Sequence, residues 1–111
     1  MDKPVIAIRL TKCQPELEEK FNRWYNEVHV PLLLKSKWVD SATRYKLIPI
    51  EQEEAPPYLA IYDFKNRQAY ENHESSPEVA AVIRERYETW AGPGYEVLLR
   101  AVYEPIKTWH K

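Results

Sequence analysis

The amino-acid sequence predicts an α+β domain: a four-stranded antiparallel sheet carrying two helices, in the order βαββαβ. Three observations lead there. Stretches that alternate apolar and polar residues, rich in β-branched and aromatic types, recur near both ends and in the middle of the chain. Two segments instead repeat apolar residues every three or four positions and open on proline and acidic residues. The chain has 111 residues, which fits a single domain spanning 1–111 and supports only a modest core.

The first strand is expected over Pro4–Leu10, with Ile6, Ile8 and Leu10 on one face and Val5, Ala7 and Arg9 on the other. Thr11–Gln14 reads as a turn. Pro15 suits a first helical position, and Glu16, Glu18 and Glu19 complement the positive end of a helix running to about His29. Leu17, Phe21, Trp24 and Val28 form its apolar stripe. Pro31 removes a backbone donor and biases Val30 away from helical angles, so His29 is expected at or just before a kink or helix end, with Leu32-Leu33-Leu34-Lys35 able to continue the helix for a turn after the proline.

A second strand is expected over Trp38–Ile50, ended by Pro49, and a loop over Glu51–Pro57. Tyr58–Phe64 is the clearest strand, with Leu59 and Ile61 opposite Tyr58, Ala60, Tyr62 and Phe64. Lys65–Ser76 contains a short helical piece near Gln68–His73. Ser76-Pro77-Glu78 is a helix start, and the second main helix runs from Pro77 to about Trp90. Its Val79, Val82, Ile83 and Trp90 face the core, and Arg84, Glu85, Arg86 and Glu88 are assigned to water. Ala91-Gly92-Pro93-Gly94 is a stop. Tyr95–Lys107 is the last strand, with Val97, Leu99, Ala101 and Tyr103 on one face.

With right-handed crossovers this order gives the ferredoxin-like arrangement, both helices on one side of the sheet. Both sheet faces carry apolar residues. An open face with Tyr58, Tyr62 and Tyr103 would be a large apolar patch, which monomers avoid. Stacking two copies sheet on sheet, enclosing a barrel, removes it.

Composition narrows the function. Sixteen basic and 17 acidic side chains leave a net charge of −1 without long blocks of one sign, which argues against nucleic acid or an anionic membrane as partner. There is no apolar run near 20 residues and no basic-then-apolar start, so neither a membrane span nor a signal peptide is expected. The single cysteine, Cys13, has no internal partner for a disulfide, in keeping with a cytoplasmic protein. Gly92 and Gly94 are the only glycines, so no glycine-rich phosphate loop exists. No His/Cys/Asp/Glu cluster has ligand spacing, so no metal and no cofactor are expected. Four Trp and eight Tyr are a heavy load of side chains that favour pockets and interfaces.

The segment Phe21–Pro31 concentrates aromatic residues around one histidine. At about 100° per residue, Tyr25 and His29 lie one turn apart on the flank of the apolar stripe. Trp24-Tyr25-Asn26-Glu27-Val28-His29-Val30-Pro31-Leu32-Leu33 fits the pattern W/Y-Y-x-x-x-H-x-P-x-L. Together with Arg44-Tyr45, Pro57–Phe64 and Ser75-Ser76-Pro77-Glu78, it makes the sequence resemble the EthD-like proteins of the dimeric α+β barrel superfamily. The resemblance implies a homodimer with one cavity per subunit between helices and sheet. It marks His29 as the motif histidine and leaves the reaction open, because the superfamily includes isomerases, cyclases, monooxygenases and haem-binding branches.

Read as an enzyme, His29 is the general acid/base and Tyr25 its orienting partner or a donor to an enolate oxygen. Arg44 offers a planar fork for a carboxylate, or pairs with Glu51 or Glu53. Tyr58, Tyr62, Trp90 and Trp24 are the aromatic substrate-binding candidates, with Trp24 also a core residue. The expected function is a cofactor-independent isomerase, cyclase or lyase acting on a small aromatic or unsaturated carbonyl compound. A cofactor-free monooxygenase of phenols and a non-catalytic ligand-binding dimer are the alternatives. A purely structural His29 would have both ring nitrogens engaged by the fold.

Overall fold

The computed structural model describes residues 3–51, 53–92 and 94–111; Gln52 and Pro93, which fall in the expected loop and stop, lie outside them. Strand β1 (Val5–Cys13) is followed by a 3-10 turn (Pro15–Leu17), helix α1 (Glu18–Trp24), a π-helical turn (Tyr25–His29) and helix α2 (Val30–Leu33). Then come β2 (Val39–Lys46), β3 (Tyr58–Phe64), α3 (Arg67–Glu74), α4 (Pro77–Thr89) and β4 (Tyr95–Tyr103). The sheet order is β2-β3-β1-β4, with β1 antiparallel to both β3 and β4 and β2 antiparallel to β3. This is the expected ferredoxin-like architecture.

The helices lie on one side only. Val5, Ala7 and Thr11 of β1 and Tyr58, Ala60, Tyr62 and Phe64 of β3 are buried beneath them. Phe21 has no exposed surface and packs on the rings of Trp24, Tyr25, Tyr58, Trp90 and Tyr95. Val79 and Val82 close the core from α4. Tyr58 and Tyr62 therefore sit on the covered face rather than the open one. Alternation along β3 decides which residues share a face, but not which face the helices cover.

The other face holds Ile6, Ile8 and Leu10, which pair with Asp63, Ile61 and Leu59 on one side and with Tyr103, Ala101 and Leu99 on the other. Tyr45 extends it across Leu59. Tyr45, Leu99 and Tyr103 are exposed. The molecule is a slab of 46 × 39 × 19 Å with a radius of gyration of 15.0 Å, against about 13 Å for a compact domain of this length. Among the described residues no helix is long and apolar enough to cross a membrane.

Four elements differ from expectation. β1 runs through the predicted turn to Cys13, because Thr11, Lys12 and Cys13 pair with Val97, Glu96 and Tyr95. A register shift between Leu10 and Thr11 sets Val97 beside Thr11 but Leu99 beside Leu10, so these two residues do not share a face. β2 ends at Lys46 and β4 at Tyr103, both short of their predicted limits. Val30 is helical, with φ −63° and ψ −46°, whereas the continuation of the helix past Pro31 to Leu33 follows the reading of a further turn there.

Candidate active site

The wide turn explains how the helix passes Pro31. A regular α-helix would require a donor at position 31 and would press the ring on the carbonyl four residues back. Here the Val30 N–H reaches the Tyr25 carbonyl, an i→i+5 bond, and the loosened turn accommodates the ring. The fifth residue, not the fourth, then comes over the first. The imidazole of His29 stacks on Trp24 at 4.7 Å and 30°, and meets Tyr25 edge-on at 4.8 Å.

His29 lines a cavity of about 120 Å³ between the helices and the sheet, the scale of a single six-membered ring. Its Nδ1 is buried without a hydrogen-bond partner. Burial first, then the charges of Arg86, Arg44 and Arg9, lower its pKa from 6.5 to about 4, so the ring is neutral at pH 7. An engaged structural histidine would not leave that nitrogen unpaired.

Tyr25 and Tyr62 line the same cavity. Their buried hydroxyls are 3.4 Å apart, and burial raises the pKa of both. Both are protonated at neutral pH. One hydrogen serves the pair, and the other can be donated to a third oxygen.

Of the seven residues singled out by sequence, these three come together at the cavity. The other four do not line it. Trp24 lies behind His29, its indole N–H held by the Glu85 carboxylate at 2.9 and 3.1 Å. Trp90 packs on Phe21, Trp24 and Tyr95. The Tyr58 hydroxyl donates to Glu18 and accepts from Asn22. Arg44 donates to Asn26 and Asn22 at 2.7 and 2.9 Å, rather than to a loop glutamate. Its guanidinium lies 4.2 Å from the Tyr25 ring centroid, supporting Tyr25 by a cation–π contact.

Charged residues that were not singled out also line the cavity: Arg9, Arg86, Arg100 and Glu74. Arg9 and Arg100 approach the same Glu74 oxygen at 3.3 and 3.5 Å. Arg86, assigned to water from the sequence, is half-buried and reaches Tyr95. A signal for two of them was present. Arg86 follows Val79 and Val82 at helical spacing, and Arg9 follows Val5 and Ala7 at strand spacing, so each continues a buried row.

His73 also borders the cavity, but its Nδ1 shares a 2.8 Å hydrogen bond with buried Ser36, which makes it a structural contact. Among the described residues no group of three or more His, Cys, Asp or Glu side chains could hold a metal ion.

The fold is shared with known structures at low sequence identity. An EthD family protein from Bacillus halodurans superposes with a TM-score of 0.69 and 16% identity, over 96% of this chain and all of that one. HapK from Hahella chejuensis gives 0.69 and 11%, over 96% and 97% of the two chains. A Shewanella loihica protein provisionally described as a monooxygenase gives 0.61 and 16%, over 97% and 99%. These likenesses establish the fold of the EthD-like dimeric α+β barrels. No curated protein matches the sequence. Residues 8–91 match the domain of unknown function DUF4286, and the chain belongs to that family.

Proposed function

We propose that the chain is a homodimeric, cofactor-independent isomerase, cyclase or lyase acting on a small aromatic or unsaturated carbonyl compound. The observation that carries this reading is the unpartnered His29 nitrogen, buried beside two protonated tyrosyl hydroxyls at a cavity. Neutral His29 takes a proton from the carbon next to the carbonyl, and the electron pair moves onto the carbonyl oxygen. That oxygen becomes an enolate and accepts a hydrogen bond from the Tyr25–Tyr62 pair. The imidazolium returns the proton at another carbon in an isomerisation, or to a leaving group in an elimination.

The homodimer is supported by the apolar open face, since a second sheet would cover Ile6, Ile8, Leu10, Leu59, Ile61 and Leu99. The lone Cys13 accords with work in the reducing cytoplasm.

One observation favours a second reading, a non-catalytic ligand-binding dimer. A pKa of about 4 makes unliganded His29 a weak base at neutral pH. Deuterium exchange into a panel of cyclic ketones and enones, followed by NMR, separates the two. The enzyme exchanges the carbon-bound proton of at least one compound, and His29→Ala loses that exchange. Exchange that persists in His29→Ala removes His29 from the chemistry, and binding without exchange supports the second reading.

A further inference from the structure

The cavity walls are not electrically balanced. Arg9, Arg86 and Arg100 line it against one carboxylate, that of Glu74. Burial keeps His29 neutral and lowers the pKa of His73 as well. Glu74 is shared, with one oxygen at 3.3 Å from Arg9 and 3.5 Å from Arg100. Arg86 forms no ion pair among the described residues. Arg9 is the most enclosed of the three, with its side chain 14% exposed, while Arg86 is half-buried and Arg100 is open to solvent. Positive charge at partly buried walls favours an anion that answers it. Guanidinium forks match a carboxylate in shape and donor spacing. Glu74 shows that chemistry on one side of the cavity, where the protein's own carboxylate already draws two of the three arginines.

We infer that the ligand of this cavity carries a carboxylate, held by Arg86 with Arg9, and that Glu74 competes with it for the arginines. This deepens the reading of the site given above and rests on it for the reaction, but not for the binding. The substrate class becomes a small cyclic keto or enol acid. Its ring fills a volume of about 120 Å³, and its carbonyl oxygen faces the tyrosyl pair.

Calorimetric titration of the full chain with benzoate and with its neutral isostere benzamide tests the inference. Benzoate binds roughly tenfold or more tightly than benzamide, since charged hydrogen bonds are about twice as strong as neutral ones. Arg86→Gln removes most of that preference and leaves benzamide affinity within about twofold, which also shows that the variant is folded. Glu74→Gln removes the competing carboxylate and tightens benzoate binding by a few-fold or more. Equal affinity for the two probes, no binding of either, or weaker benzoate binding in Glu74→Gln overturns the inference. The inference places the carboxylate on the arginines and not on His29, so His29→Ala is expected to keep the benzoate preference of the wild type. A chain that selects acids without exchanging protons therefore sinks the catalytic reading alone, and one that exchanges protons only on neutral ketones sinks the acid class alone.

Discussion

Replacing His29 with Gln removes a group that the folded chain keeps from protonating. Its pKa falls from 6.5 to about 4, by burial and then by Arg86, Arg44 and Arg9. Between these two values the unfolded chain binds a proton on His29 and the folded chain does not. Stability therefore rises with pH across this window and falls as the pH drops from 6.5 towards 4. At about 1.36 kcal/mol per pH unit, the folded state loses roughly 2 kcal/mol on going from pH 7 to pH 5, and roughly 3 kcal/mol by pH 4. Above pH 6.5 the group contributes nothing to the slope. The assay is urea unfolding of wild type and His29→Gln at pH 7 and pH 5, at one protein concentration, since an oligomer's stability depends on concentration. Carboxylates and His73 titrate in both proteins and cancel in the comparison. The expected result is that wild type loses about 2 kcal/mol more than His29→Gln between the two pH values. Equal losses would mean that His29 protonates as freely in the fold as outside it, and would refute the buried, neutral imidazole.

Other perturbations bear on the surroundings of the site. A Cβ added at Gly94 meets the six-membered ring of Trp90, so Gly94→Ala costs about 1–3 kcal/mol by overpacking; a melting temperature equal to wild type would show that Trp90 moves freely. Trp24→Phe removes the N–H that holds Glu85. It lowers stability by about 1.5–3 kcal/mol, the scale of a hydrogen bond to a charged group, and a smaller loss in denaturant titration counts against that bond. Ile8→Glu puts a charge at the centre of the open sheet face, between Ile61 and Ala101. Sedimentation is expected to turn from dimer to monomer, and a variant that stays dimeric would move the interface elsewhere.

The order of elements was readable because local signals agreed with one another. Alternation marked β3, and Ser76 caps α4 by accepting the Val79 N–H, as its position implied. The cap at Asn66, which accepts the Ala69 N–H and starts α3, carried the same kind of signal. Side-chain placement was less legible. Tyr58 and Tyr62 share a face by alternation, but the helices above them choose which face is covered. Arg86 looked solvated because its neighbours Arg84 and Glu85 are charged, while its spacing from Val82 put it on the buried row. The pairing of Arg9 and Arg100 on Glu74 joins residues far apart in the chain, and no local pattern encodes it. The tyrosyl pair is of the same kind, since Tyr25 and Tyr62 meet only after the helix has docked on the sheet.

The π-helical turn also acts as a phase correction along the helical run. At about 100° per residue, Phe21 and Leu33 would point about 120° apart on an uninterrupted α-helix. Absorbing one residue in the wide turn leaves them about 20° apart and brings Tyr25 and Leu33 into a similar alignment. All three are buried. A single-residue deletion between Tyr25 and His29 would restore a regular helix and keep Leu33 on the core row that begins at Phe21, since eleven regular steps also leave about 20° between them, whereas straightening the turn without a deletion would swing Leu33 away. The helical run thus carries two frames of side-chain register, and the imidazole stands at the seam where one gives way to the other.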